Sequence, residues 1–260
     1  MEEKNPQDIL NDFKGGKIDL STLIEKLLSE SSSRDDNLRL EISDVLLEIY
    51  RIVEAEENRE SKQLRSIMEE KIGEKFISKY NLHPREAMAL GLVELIMRVN
   101  LENCDVIPNI PHVHAAFGIK GSHVIDLDIV EMRFPKLVFL DLLSYLETLT
   151  ISQAGLKEIE GLEKLKELTL LDLAANELLE IKGLEHLQKL KKLYAYSNKI
   201  PHLKGLNSLS ELEELLIHEN PIKTLKGIES LKKLKNIEIH ETYLSEKEIK
   251  KIKDLIKIKN

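Results

Sequence analysis

The chain has 260 residues, 42% hydrophobic but only 4% aromatic, with no tryptophan, six tyrosines and a formal net charge of −8. Its core must come from interleaved Leu and Ile with Lys and Glu solvating the outside, as in a helical or repeat protein. The negative balance excludes attraction to a phosphate backbone as a global driving force, so no nucleic-acid partner is expected.

The single cysteine, Cys104, rules out an intrachain disulfide and points to a reducing compartment. The start, MEEKNPQDIL, has neither the basic nor the apolar region of a secretory signal. The most apolar run, AMALGLVELIMRV, is 13 residues long and includes Glu94 and Arg98, short of the roughly 20 apolar residues that span a bilayer. A cytoplasmic protein with no membrane partner is the expectation.

Residues 1–100 read as an all-helical domain. Two short helices are expected near 7–14 and 20–29, with KGGK at 14–17 as a turn and SESSSRDDN at 29–37 as a loop. Three longer helices follow from apolar residues three and four apart. The first stripe is Leu38, Ile42, Leu46, Ile49 and Val53; the second Leu64, Ile67, Met68, Ile72 and Phe76; the third Met88, Leu92, Leu95, Ile96 and Val99. Residues 1–120 hold 16 basic and 23 acidic residues, so this part carries most of the negative charge.

Pro108 and Pro111 interrupt the next stretch, and two prolines break a continuous helix. Residues 101–122 are read as linker and N-terminal cap, packed against a strand from Val124, with the helices docked and not freely tethered. Cys104, His112, His114 and His123 form a permissible zinc set by type, although their spacing matches no compact finger. Cys104 with a histidine also makes a nucleophile–base pair, but no orienting acid or oxyanion hole is in view. A metal-dependent regulator or enzyme built on these four is the alternative reading; turn and cap residues, with no metal or cofactor, is the preferred one.

From 124 the sequence repeats with a spacing of 22. LTLLDLAANELLEIKGLEHLQK begins at Leu168, LKKLYAYSNKIPHLKGLNSLSE at Leu190 and LEELLIHENPIKTLKGIESLKK at Leu212. The frame extends back to Leu146 and Val124 and forward to Leu234, Ile237 and Ile239, giving six registers over 123–244. A unit this short buries its apolar side only by stacking on its neighbours. The first segment of each unit alternates as a strand, so Leu190, Leu193 and Ala195 face inward. Asn176, Asn198 and Asn220 hold the ninth position, where a buried amide can satisfy backbone groups as the strand turns away. Met132, Ala154 and Thr242 take that slot in the outer units, and Gly161, Gly183, Gly205 and Gly227 recur at the sixteenth position as tight returns.

The pattern resembles the leucine-rich repeat family in its 22-residue subclass, the type found in a regulatory subunit of protein phosphatase 1, over about half of the chain. The resemblance implies an α+β architecture: an N-terminal helical domain, then a solenoid with a parallel sheet on its concave face. It also implies an asparagine ladder at Asn176, Asn198 and Asn220, and recognition of a protein through the concave sheet by a scaffold or regulatory subunit that is not an enzyme. Secreted bacterial proteins of the invasion type share 22-residue repeats, a further reading against which the missing signal segment counts.

After Ile239 the frame fails. Ser245 and Glu248 form a capping box, and Ile249, Ile252, Leu255 and Ile256 follow at helical spacing. A capping helix is expected over 245–257 within a C-terminal segment 245–260, its lysines being a solvated face.

If Leu193 and Ala195 point inward, Tyr194 and Tyr196 point outward. Two outward columns result: Asp128, Thr150, Asp172, Tyr194, Leu216 and Glu238, and Val130, Ser152, Ala174, Tyr196, His218 and His240. The interior of each unit is already filled, so Tyr194, Tyr196 and Leu216 read as interface anchors rimmed by Asp128, Asp172, Glu238 and the histidines. His218 and His240, with Glu219, Glu238 and Glu241 nearby, can hold a metal or sense pH, but are read as two exposed side chains of the binding surface. An unidentified protein partner and a monomeric chain before binding complete the expectation.

Overall fold

The computed structural model describes residues 5–15, 17–30, 36–55, 59–97, 101–103, 115–131, 140–253 and 257–259. They divide into two units at residue 100. Among the described residues no helix is long and apolar enough to cross a membrane.

The first unit contains helices α1 (Pro6–Lys14), α2 (Leu20–Glu30), α3 (Asp36–Ala55), α4 (Arg59–Tyr80) and α5 (Pro84–Met97). Asn5 caps α1 by accepting the Gln7 N–H at 2.8 Å, with Pro6 at the first helical position. Asp19 does the same for α2 through the Thr22 N–H at 2.8 Å. The buried side chains Ile42, Leu46 and Ile49 of α3, Met68 and Phe76 of α4, and Met88 and Leu92 of α5 share one core. Leu38, Ile67 and Ile72 are half-buried, and the side chains of Val53, Leu64, Leu95, Ile96 and Val99 lie outside the described residues. So do 31–35 of the expected loop, whose remaining positions belong to α2 and α3. Helices α4 and α5 meet backbone to backbone, because a Cβ on Gly91 would stand 2.2 Å from the Ile72 carbonyl oxygen.

The second unit is a single nine-stranded sheet in sequence order: β1 (Glu102–Asn103), β2 (Ala115–Lys120), β3 (His123–Val130), β4 (Thr148–Ser152), β5 (Leu170–Asp172), β6 (Lys192–Tyr194), β7 (Glu214–Leu216), β8 (Asn236–Glu238) and β9 (Lys257–Lys259). From β3 onward every pairing is parallel, and Leu127, Leu149, Leu171, Leu193, Leu215 and Ile237 lie side by side. The second half is therefore a leucine-rich repeat solenoid with coils of 22 residues and a parallel sheet along one side, preceded by helices, an α+β architecture. Inward leucines of strand and return are buried at every coil, as with Leu190, Leu193, Ile200, Leu203, Leu206 and Leu209. At each return the chain passes close to the coil before it: a Cβ on Gly205, whose φ is +99°, would lie 2.0 Å from the Ile181 carbonyl oxygen.

Two regions differ from the sequence expectation. In place of a linker and cap alone, 101–122 contains β1 and β2, and β2 pairs antiparallel with β3 around Gly121, φ +65°. A two-residue Gly-Ser turn between alternating strands suits such a hairpin. Residues 104–114 lie outside the described residues, and Cys104, His112 and His114 with them; Met132 falls in a second such stretch, 132–139.

At the other end, the helix expected over 245–257 is α6 (Glu246–Lys253), and Lys257 belongs to β9, which pairs parallel with β8. The physical reason is the open edge of β8, whose backbone donors and acceptors a further strand satisfies better than a longer helix would. Leu255 and Ile256 lie outside the described residues. Ser245 caps α6 through the Glu248 N–H at 3.3 Å. The Glu248 carboxylate reaches the preceding coil, accepting from the Leu225 N–H at 3.3 Å and the Thr224 hydroxyl at 3.4 Å.

Candidate interaction face

The outer face of the sheet is built by strand alternation, and the asparagines fix where each strand ends. Asn198 donates from Nδ2 to the carbonyls of Leu173, Ala195 and Tyr196 at 3.0–3.1 Å, and its Oδ1 accepts the Leu178 N–H at 3.0 Å. Asn220 repeats the arrangement with Ala195, Ile217, His218 and the Ile200 N–H. Asn176 holds two donors, the N–H groups of Ala154 and Leu156, at 3.0 and 3.1 Å. In the last coil the Thr242 hydroxyl donates to the Ile239 carbonyl at 2.7 Å.

The residue before each ladder position adopts a left-handed backbone: Glu131, Gln153, Ala175, Ser197, Glu219 and Glu241 all have φ between +51° and +57°. None is glycine, so residue type does not mark this turn. The turn aims the N–H of Ala175 at the Tyr196 carbonyl, 2.9 Å, and that of Ser197 at the His218 carbonyl, 3.1 Å. The outer face continues past the end of each strand in this way.

Leu193 and Ala195 are buried, and Tyr194 and Tyr196 stand half-buried on the opposite side. Leu216, Asp128, Asp172 and Glu238 share that face and are also half-buried. Ala174 lies in the outward column yet is buried, 1% exposed. A third column, missed by the sequence reading, faces out at the start of each strand: Asp126, Thr148, Leu170, Lys192, Glu214 and Asn236. The same alternation carried two residues upstream would have found it.

The column through Tyr196 is a continuous aromatic stack. The Tyr196 and His218 rings are 4.6 Å apart at 6°, and those of His218 and His240 are 4.2 Å apart at 17°. His218 is thus enclosed between two rings, its side chain 12% exposed, and not an exposed surface group. His123, the one described member of the Cys104 set, stacks on Tyr145 at 3.8 Å.

Across the three columns and the left-handed turns there are eight carboxylates, Asp126, Asp128, Glu131, Asp172, Glu214, Glu219, Glu238 and Glu241, against the single lysine Lys192. That lysine is engaged with Glu214 at 3.6 Å. Burial pushes the Asp172 carboxyl above its ordinary range, partly offset by the Ala174 N–H, and Asp128 adds to the rise. Burial also raises both tyrosine phenols, helped by Glu214 and Asp172 at Tyr194 and by Asp172 and Glu219 at Tyr196. Burial and then His240 hold the His218 imidazole below its usual value, against the pull of Glu238, Glu219 and Glu241.

Away from this face, charges pair from coil to coil at the repeat spacing, as in Lys199–Glu177 at 3.0 Å, Lys233–Glu211 at 2.6 Å and Lys189–Glu167. Exposed pairs of this kind contribute about 0–1 kcal/mol each. They leave the acidic sheet face as the main charge asymmetry of the solenoid.

No family model matches the chain, and no curated protein matches it. Among solved structures it is similar to an internalin C2 of Listeria monocytogenes at 22% identity over 49% of this chain and 48% of that one, TM-score 0.37. An internalin F of the same organism matches at 18% identity over 49% and 47%, TM-score 0.38. The functional domain of InlJ from Listeria monocytogenes, which includes a cysteine ladder, matches at 24% identity over 46% and 26%, TM-score 0.41. The chain spans about half the length of the first two structures and about a quarter of the third.

Proposed function

We propose that the chain is a protein-interaction module that captures a partner on the outer face of its sheet. In this reading it acts as a scaffold or regulatory subunit, like the phosphatase regulatory subunit its repeats resemble, and not as an enzyme. The observation that carries it is the placement of Tyr194, Tyr196 and Leu216 outside a core that Leu193, Ala195 and Leu215 already fill. Large rings and an aliphatic group at the centre of a polar-rimmed patch are what interface anchors require.

The rim defines the chemistry of the partner. Eight carboxylates around two phenols favour a segment rich in Arg or Lys, steered by the field of the face. Its guanidinium groups would stack on Tyr194 and Tyr196 and be compensated by Asp172, Glu214 and Glu219, the carboxylates beside those rings. Residues 1–100 offer a second docking surface. The single cysteine accords with work in the cytoplasm, and the chain is a monomer before capture.

The test is selection of random displayed peptides on the immobilised full chain. Wild type should enrich sequences carrying Arg or Lys, and Tyr194→Ala/Tyr196→Ala should bind the winners at least about tenfold more weakly with an unchanged melting temperature, since hot-spot truncations cost about 2 kcal/mol or more. Equal binding by the double variant would place the docking surface elsewhere.

A further inference from the structure

His218 is poorly explained by packing. Its Nδ1 is shielded from solvent and makes no hydrogen bond, although it points toward Glu238 Oε2 at 3.6 Å. A buried imidazole nitrogen left this way forfeits a bond that water or a side chain would otherwise supply. Its other nitrogen, Nε2, faces Glu219 Oε1 at 3.9 Å. One ring therefore offers an unused donor atom on one side and has a carboxylate beyond hydrogen-bond reach on the other.

The surroundings complete a ligand set. Donor atoms of His218, Glu238 and His240 lie within 4.8 Å of one another, and those of Glu219, His240 and Glu241 do the same, so the two groups share His240. The residues come from two successive coils and an extended strand run. The spacing of 22 places His218 beside His240, and alternation places Glu238 on the same face two residues before His240.

We infer that this end of the sheet is a binding site for a divalent transition ion such as Zn2+, ligated by His218 Nδ1, the Glu238 carboxylate and a His240 nitrogen. Glu219 and Glu241 add negative charge at the rim. Two imidazoles and a carboxylate suit zinc and its neighbours and not the oxygen-preferring Ca2+ or Mg2+.

Tetrahedral bonds of about 2.0–2.2 Å bring donors to roughly 3.3 Å from one another, so the set must contract. The two imidazoles are stacked, and their in-plane lone pairs run alongside each other instead of converging. His240 is at the open end of the stack and exposed, so its ring is the one that turns to meet the ion while His218 stays fixed against Tyr196. The three protein ligands leave a fourth position for water or for a group of the partner.

The inference does not rest on the docking reading, and peptide selection in the presence of a chelator tests that reading without any ion. The site itself is tested by titrating the full chain with ZnCl2 in a calorimeter, with the Co2+ absorption spectrum as a second readout. One ion per chain is expected, together with a zinc-dependent rise in melting temperature. Glu238→Gln should weaken binding at least about tenfold (about 1.4 kcal/mol). His240→Phe should do so as well while keeping the stacked ring, so an unchanged melting temperature in chelator shows that the fold is retained. Absence of binding up to about 1 mM, or binding unchanged in both variants, would overturn the assignment. So would binding abolished by changing Cys104, His112 and His114 alone, which would move the ion to that set.

Discussion

Asn176 and Asn198 occupy the same slot one coil apart, yet they are not equivalent. Truncating Asn198 removes the acceptor of the Leu178 N–H. Its three carbonyl partners keep other donors: Asn176 at Leu173, Asn220 at Ala195 and the Ala175 N–H at Tyr196. Truncating Asn176 strands two N–H groups, those of Ala154 and Leu156. With about 1–3 kcal/mol for each buried group left unsatisfied, Asn198→Ala should cost about 2 kcal/mol and Asn176→Ala about 4 kcal/mol, measured by urea denaturation. Equal losses would mean that the amide matters for its shape and not its acceptor. Asp172 gives the opposite case. Burial raises its folded pKa above the ordinary 3.8, with Asp128 on β3 adding to the rise. The folded chain then holds the proton more tightly than the unfolded chain, so stability declines as pH climbs from about 3.8 through the raised value. Asp172→Asn, which can still accept the Ala174 N–H, should therefore melt higher than wild type at pH 7 and equally at pH 3. An unchanged melting point at pH 7 would show that the carboxylate carries no penalty.

At the scale of the coil, the frame was legible because a stacked unit fills its inward positions almost entirely with Leu and Ile, Ala195 being an exception, and the spacing of 22 holds through four units. The glycine at the sixteenth position was equally visible, though its reason was not. Gly205 combines φ +99° with a carbonyl 2.0 Å from any Cβ, whereas Gly183, φ +78°, leaves 3.1 Å. Gly205→Ala should cost more than about 2 kcal/mol and Gly183→Ala roughly 1 kcal/mol, the conformational part alone. Comparable thermal shifts for the two would contradict the close approach. What stayed hidden was whatever a period cannot encode. The left-handed turns at Ala175 and Ser197 use ordinary residues. The hairpin before Val124 rested on Gly121 and Ser122 alone, and β9 on three residues of KIKN, too short for alternation to register. Within the candidate face, the columns of Tyr194 and Tyr196 followed from pleating. The enclosure of His218 between Tyr196 and His240 did not, because stacking depends on side-chain rotation about a fixed register.

For the molecule as a whole, the solenoid binds its own coils by nearest-neighbour contacts, so its two ends determine whether it stops at one chain. At the start, the antiparallel hairpin of β2 and β3 closes the first coil. At the finish, Glu248 ties α6 to the return at Thr224 and Leu225, and β9 lies along β8. β9 covers the edge of β8 that would otherwise be a template for an incoming backbone. A chain shortened after Lys253 would present Ile237 and its neighbours as a bare rim of amide donors and acceptors. Because the hairpin leaves the other end closed, such copies should pair rim to rim into dimers, seen as a scattering mass that rises to twice its starting value with concentration where the intact chain stays constant. Three residues of backbone laid along β8 would then be what keeps one solenoid from docking on another.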